Sequence, residues 1–359
     1  MSRHAHGLVY GKFYPPHAGH HLVIDAAAGA CDEVTVLVTA GQGESMALAE
    51  RVAWLRAAHA DQPGVTVVGA PSDIPLDLLS EPVWRAHLAA IRSALDHAGR
   101  PRVTAVCTSE AYGDELARRL GAAHVSVDPP RRAIPLSGTA CRADLAAAWN
   151  HLRPATRAGL AVRLVVLGAE STGTTTVSRA VADRFRARGG IWGRTRWVAE
   201  YGREFTIAKW ARAREAGAEV VWTADDFRHI AQRQAQMEDA AAAEGSPLLV
   251  CDTDAFATEV WEHRYTGARL PTGWEPARRR IYLLTDHVGV PFTQDGYRDG
   301  EHIRAAMTGW FLDALLAAGH SWVLLTGTLN ERVDLAIRVA DQLLTRHLTL
   351  AEPATFARP

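Results

Sequence analysis

The chain has 359 residues, with 39 Lys plus Arg against 40 Asp plus Glu, for a net charge of −1. That length suggests two domains, each able to bury its own core, and the charge balance argues against a general nucleic-acid or polybasic membrane binder. Hydrophobic residues make up 48% and charged residues 22%, the profile of a globular rather than a disordered chain.

Met1 to Gly11 lacks the basic-then-apolar pattern of a signal peptide, and no apolar run approaches the roughly 18 to 20 residues of a membrane span. Cys31, Cys107, Cys141 and Cys251 lie far apart with no C-x-x-C spacing. They are expected to be buried hydrophobes in a reducing cytoplasm. Lys12 and Lys209 are the only two lysines. Arginine takes the other basic positions, as in a GC-rich coding bias, so a site that needs a lysine has two candidates.

The first 150 residues alternate β-rich runs with helical patterns. A strand from about Gly7 leads into a turn, and a helix continues through Leu22, Val23 and Ala26. The runs Val34 to Thr39, Val65 to Val68, Val103 to Cys107 and His124 to Val127 are short and β-branched, the mark of buried parallel strands. Leu48, Arg51, Val52 and Leu55 follow helical spacing, and Val83 to His97 is helix-like. Asn150 to Gly159 is polar and turn-prone, with Pro154 and Gly159 as breakers, so the domain boundary is placed there: 1–155 and 160–359. The pattern then restarts. Strands are expected at Ala161 to Leu167, Arg196 to Ala199, Pro247 to Cys251, Arg280 to Thr285 and Ser321 to Thr326, with a helix from about Thr174 to Arg188. The predicted fold is α/β: two doubly wound parallel-sheet domains.

In the first domain, Gly7 to His20 is a strand, a Gly- and Pro-bearing turn and a helix start carrying His17 and His20. Three residues apart on a first turn, the two imidazoles share one side. The helix N-terminus adds free N–H groups and a positive dipole end, and Gly19 would let a phosphate approach the backbone. Together these read as a polyphosphate cradle. The segment resembles the nucleotidyltransferase superfamily, whose signature is a strand, a turn and H-x-G-H. Its second signature, S-x-T-x-x-R, matches Ser137-Gly-Thr-Ala-Cys-Arg142, where a hydroxyl and an arginine hold phosphates. Thr108 to Gly113 resembles the family's nucleotide-side loop. The resemblance implies adenylyl transfer from ATP, catalysed by positioning and charge stabilisation. His17, His20, Lys12 and Arg142 would neutralise developing charge, with Mg²⁺ on the pyrophosphate. Gly11, Phe13, Gly19, Ser137 and Thr139 would lie on the nucleotide.

In the second domain, Gly168-Ala-Glu-Ser-Thr-Gly-Thr-Thr-Thr176 follows a strand and opens a helix, the context of a P-loop, G-x-x-x-x-G-K-[ST]. Gly168, Glu170, Ser171, Thr172, Gly173, Thr174, Thr175 and Thr176 form the expected nucleotide cradle. Thr175 fills the slot of the Mg²⁺-bound hydroxyl. Thr174 stands where lysine is expected to reach the β- and γ-phosphates, so nucleotide binding is expected and phosphoryl transfer is put in question. Leu248 to Asp252 is an apolar strand ending in an acid, like a Walker B, with Asp254 two residues on. Asp252 is the candidate for Mg²⁺ or general base. Glu200, Arg203 and Asp254 are candidates near the acceptor, and Arg298 and Arg304 for closure over the triphosphate. Lys209 or an arginine would have to stand in for the missing lysine.

An adenylyltransferase domain followed by a P-loop domain resembles the bifunctional NadR-type proteins, which join a nicotinamide mononucleotide (NMN) adenylyltransferase to a nicotinamide riboside kinase. The resemblance spans nearly the whole chain and rests on Gly11 to His20, Thr108 to Glu110, Val127 to Arg131, Ser137-Gly138, Gly168 to Gly173, Glu200 to Arg203, Asp252 to Asp254 and Asp295 to Arg298. Some members carry an N-terminal helix-turn-helix repressor domain. Here the first strand starts by about residue 7, so DNA binding is not expected. The implied ligands are ATP, Mg²⁺, NMN and the riboside, with no nucleic-acid or membrane partner and a homo-oligomer left open. Trp84 is in a region that would flank a nicotinamide pocket, where stacking suits the ring, although a core tryptophan is the favoured reading. The alternative is an adenylyltransferase for another phosphate acceptor, with the C-terminal half a non-catalytic nucleotide sensor.

Overall fold

The computed structural model describes residues 3–75, 77–100, 102–268 and 279–353. The chain divides into two compact units: the described residues up to Gly159 together with those from Leu348 on, and Leu160–His347. The sequence expectation carried the second domain to 359, whereas the tail from Leu348 groups with the first unit. Within that unit the Ala351 N–H donates to Ser45 Oγ at 2.9 Å. Such a return of the chain terminus leaves no periodic pattern to read.

The first unit runs β1 (His4–Gly11), α1 (Ala18–Ala30), β2 (Cys31–Ala40), α2 (Leu48–Ala58), β3 (Val65–Pro71), α3 (Glu81–His97), β4 (Ala105–Thr108), α4 (Gly113–Leu120), β5 (Ala123–Ser126), α5 (Gly138–Ala143) and α6 (Pro154–Leu160). Its strands form one parallel sheet in the order β3-β2-β1-β4-β5, with Leu8 opposite Thr35 on one side and Val106 on the other. The β-branched run Val34, Val36 and Val38 is buried from both faces, as a parallel strand between helices requires. Strand order reverses at β1, so a crevice opens at the carboxyl ends of β1 and β4. The polar stretch read as a linker contains α6. Pro154 is its first residue, where a missing N–H costs nothing. Gly159 is needed because a Cβ there would lie 2.1 Å from Trp54 Nε1.

The second unit runs β6 (Val162–Leu167), α7 (Thr174–Arg186), β7 (Arg196–Val198), α8 (Tyr201–Ala216), α9 (Ala224–Glu244), β8 (Leu248–Asp252), α10 (Ala255–Thr266), β9 (Arg280–Thr285), α11 (Arg304–Ala317), β10 (Trp322–Leu325) and α12 (Leu329–Leu348). Its parallel sheet has the order β10-β9-β6-β8-β7. The fully buried β6 lies between β8 and β9, which sets the loop after β6 beside Asp252 at the end of β8. All four cysteines are buried and free. Among the described residues no helix is long and apolar enough to cross a membrane.

Candidate active sites

In the first unit, β1 ends in a turn that delivers His17 to the N-cap of α1. The cap is reciprocal. Gly19 N–H donates to His17 Nδ1 at 3.1 Å, and His17 N–H donates to His20 Nδ1 at 3.3 Å. Both Nδ1 atoms act as acceptors, so each ring carries its proton on Nε2. The rings lie 3.8 Å apart, with Phe13 packed on His20 at 4.9 Å. Gly19 is required by His17 itself, because a Cβ would stand 3.0 Å from its ring. The sequence reading reserved that space for a phosphate.

His17 is 4% exposed, and its Nε2 has no hydrogen-bond partner. It faces the start of α5, where a Cβ on Gly138 would lie 3.9 Å from it and 3.3 Å from Arg142 Nη1. His17, Gly19, His20, Ser109, Glu110, Arg131, Ser137 and Gly138 line one small cleft. Ser137 Oγ caps α5 by accepting from Ala140 N–H at 3.1 Å, and Thr139 accepts from Arg142 Nη2 at 3.2 Å. Burial, with Arg131, His151 and Arg142 nearby, lowers the His17 pKa to about 4, and burial holds His20 well below its ordinary value. The two rings are therefore neutral N–H donors at pH 7 in the unliganded site. The nearby positive charge comes from Arg142 and Arg131. Arg131 was quoted only as part of a motif, although it lines the cleft and pairs with Glu110 at 2.8 Å.

Three other candidates have different roles from those expected. Phe13 is 2% exposed and belongs to the core, so its ring supports His20. Lys12 is turned to Glu44 at 2.7 Å, and the same carboxylate pairs with the fully buried Arg51 at 2.6 Å. Trp84 is 7% exposed in the core beside Leu88 and Ile91. Its indole N–H donates to Leu78 O at 3.0 Å, and it does not line the cleft. Of the two sequence readings of Trp84, the structure shows the favoured one, a core tryptophan, and not the stacking one.

In the second unit the loop after β6 borders a cleft of about 370 Å³. Gly168 allows the loop to close on the sheet, since a Cβ would lie 2.3 Å from Thr285 Oγ1. Ser171 and Gly173 take positive φ of 58° and 90°, the alternation that turns successive N–H groups inward. Thr175 Oγ donates to Asp252 at 2.6 Å. Hydroxyl and carboxylate are both hard oxygen donors at a nucleotide loop, a set that fits Mg²⁺ completed by phosphate and water. Burial raises Asp252, opposed by hydrogen bonds from Thr175 and Thr174 and by the charges of Arg179 and Arg203. Glu200 is raised to about 7, mainly by desolvation and then by the charge on Asp252. Glu200, Arg203 and Arg298 line the cleft, as does Arg179 on α7.

Several loop side chains are structural. Thr172 is buried, donating to Ala169 O at 2.7 Å and meeting Thr285 at 2.7 Å. Glu170 takes Arg264 at 2.8 Å and the Gly300 N–H at 2.7 Å. Thr176 is exposed and absent from the cleft wall. Asp254, fully buried, caps α10 through Ala257 N–H at 3.0 Å, while its other oxygen takes Tyr282 at 2.9 Å and Arg280. It also lines the cleft, so its carboxylate anchors the floor of the expected acceptor side. Arg304 donates to Ser171 O and Val290 O at 3.0 Å, so it braces the loop. Lys209 pairs with Asp226 at 2.8 Å and does not line the cleft.

The opposite wall was not foreseen. Helices α9 and α10 and the chain before α9 contribute Phe227, Trp261, Tyr265 and Trp222. Trp222 stacks on Tyr265 at 5.1 Å and lies 5.4 Å from Phe227. Gln234, 1% exposed, accepts from Tyr201 N–H at 2.9 Å, and its Nε2 donor has no partner. The cleft thus joins a phosphate loop and a carboxylate pair to a flat aromatic wall.

Comparison with known proteins follows this division. Residues 8–74 match a family model described as cytidylyltransferase-like, and residues 163–332 match one described as an AAA domain. The trifunctional NAD biosynthesis/regulator protein NadR of Escherichia coli is 24% identical over 81% of this chain and 71% of its own length. Its Salmonella typhimurium counterpart is 23% identical over the same shares. A crystal structure of NadR protein in complex with NR aligns with a TM-score of 0.63 at 21% identity, covering 100% of this chain and 99% of that one. Another, in complex with NAD and AMP-PNP, gives 0.60 at 19% identity, covering 99% and 100%.

Proposed function

Both domains of this chain resemble those of NadR-type proteins, and from that premise we propose that the first domain transfers AMP from ATP to NMN, yielding NAD and pyrophosphate. The observation that carries the reading is the buried, unpartnered Nε2–H of His17 facing the Ser137–Arg142 turn. A donor left without a partner costs free energy unless a ligand accepts from it, and a phosphate oxygen does so. The phosphate of NMN attacks the α-phosphorus. A P–O bond forms there, the bond to the bridging oxygen breaks, and pyrophosphate leaves with the electron pair. His17 and His20 donate hydrogen bonds to the triphosphate, and Arg142 stabilises the charge that develops. Incubation with ATP, Mg²⁺ and a panel of NMN, nicotinate mononucleotide and phosphopantetheine, followed by pyrophosphate release, tests the reaction and the acceptor. No pyrophosphate with any of the three removes this half.

The second domain is read as a nicotinamide riboside kinase. The nested loop at Gly168–Gly173 takes the ATP phosphates, and Thr175 with Asp252 would hold Mg²⁺, which screens phosphate charge and orients the γ-phosphoryl group. Glu200, with its pKa near 7, is matched to accepting the proton of an acceptor hydroxyl. The aromatic wall suits a flat pyridinium ring, and Gln234 Nε2–H suits an acceptor oxygen. A second reading, a non-catalytic nucleotide sensor, is favoured by threonine at 174. NMN formed from riboside and ATP at an ordinary turnover removes the sensor reading, whereas ATP binding without transfer supports it.

A further inference from the structure

In the second domain, a bound triphosphate brings three or four negative charges into a cleft whose wall already holds Asp252 and Glu200. A P-loop ordinarily offsets this with its lysine. Here residue 174 is threonine, beside Asp252, and Thr175 hydrogen-bonds to that carboxylate. Three arginines line the cleft: Arg179, Arg203 and Arg298. Two are engaged. Arg203 binds the Asp295 carboxylate, and Arg298 pairs with the same group at 3.3 Å while donating to Thr293 O at 2.7 Å. Arg179 differs. Its guanidinium rests on the face of Trp197 with its carbon 4.4 Å from the ring centroid, and no carboxylate pairs with it among the described residues.

Its position on α7 also matters. Residues 175 and 179 are one turn apart on the same face, and helical side chains lean toward the N-terminus. Arg179 therefore leans back toward Thr175 and the loop, and Trp197 beneath it restricts where the guanidinium goes. A guanidinium on an aromatic face keeps its N–H edge free for phosphate oxygens.

We propose that Arg179, one helical turn beyond the loop, supplies the positive charge to the terminal phosphates of a bound nucleoside triphosphate that threonine at 174 does not. The proposal rests on the nucleotide-binding reading of the second domain and does not require that domain to catalyse transfer.

The test measures binding of ATP, ADP and AMP, each with Mg²⁺, to the full chain by calorimetry. The first domain's site is silenced in every protein by Arg142→Gln, so the signal comes from the second. Arg179→Met keeps an apolar stem on Trp197, and Arg179→Gln is a second variant should the first fail to fold. The expected result is ATP affinity reduced at least tenfold, AMP affinity within twofold, and recovery of ATP binding to within threefold when Thr174→Lys is added to Arg179→Met. Equal losses for ATP and AMP, unchanged ATP affinity, or no recovery with the added lysine would overturn it. Phosphorylation of nicotinamide riboside is assayed on the same proteins. Discrimination of ATP from AMP that depends on Arg179, without transfer by the parent protein, sinks the kinase reading and leaves Arg179 its role. Transfer by the parent with unchanged ATP affinity and rate in Arg179→Met does the reverse.

Discussion

His17 and His20 hold the first turn of α1 by a reciprocal exchange: the Gly19 N–H donates to His17 Nδ1 at 3.1 Å, and the His17 N–H donates to His20 Nδ1 at 3.3 Å. The same two bonds fix the tautomers that turn the Nε2–H groups outward from the cap. In the proposed function, helix capping and substrate recognition fall to opposite edges of one ring, so mutation can separate them.

Asparagine is a strong N-cap and provides an acceptor for Gly19 N–H, but lacks the distal ring donor. His17→Asn is expected to keep the unfolding free energy within about 1 kcal/mol while adenylyl transfer falls by a factor on the order of 100. Denaturant melts and steady-state rates check the two halves. Activity close to the parent's would mean that Nε2–H is not used.

Glu200 gives a pH signature. Its pKa of about 7 lies above the ordinary carboxylate value, so the folded state binds the proton more tightly than the unfolded one. Its favourable contribution is complete below the unfolded value near 4.5 and disappears as pH rises through 7. Glu200→Gln is therefore expected to melt close to the parent at pH 5 and to be more stable at pH 8, by something on the order of 1–2 kcal/mol. Riboside phosphorylation should rise through pH 7 in the parent and lose that limb in the variant. Parallel melting profiles would contradict the assignment.

Arg51, fully buried, depends on Glu44 for its counter-charge. Removing one partner of a buried pair leaves the other uncompensated. Glu44→Gln is expected to destabilise the first domain by about 3 kcal/mol, seen as a lower denaturant midpoint. An unchanged midpoint would show that carbonyls of Lys12, Thr39 and Met46, which Arg51 also binds, are enough.

Lys209→Met is expected to leave both reactions within twofold of the parent, since its amino group is spent on Asp226. A large loss of riboside phosphorylation alone would return Lys209 to the search for the missing cation.

Much of this was legible in the sequence because it is local. The β-branched runs are the strands, the glycine and histidine spacing marks the first candidate site, and Gly168 to Thr175 marks the second. What stayed hidden depends on residues far apart in the chain. The partners of the Asp254 carboxylate, Arg280 and Tyr282, come from a strand well removed along the chain. The tie of the Trp84 indole to Leu78 is likewise invisible in the spacing. The aromatic wall comes from separate helices whose sequences carry no motif. Arg179 is one surface-like arginine among many, set apart by its place on Trp197 and, among the described residues, by the lack of a carboxylate partner.

The most direct test is NAD formation from NMN, ATP and Mg²⁺, followed by chromatography for the full chain and for His17→Asn. NAD and pyrophosphate are expected in equal amounts from the parent, with about a hundredfold slower formation by the variant. A folded parent that forms neither product, or a variant as fast as the parent, would contradict it.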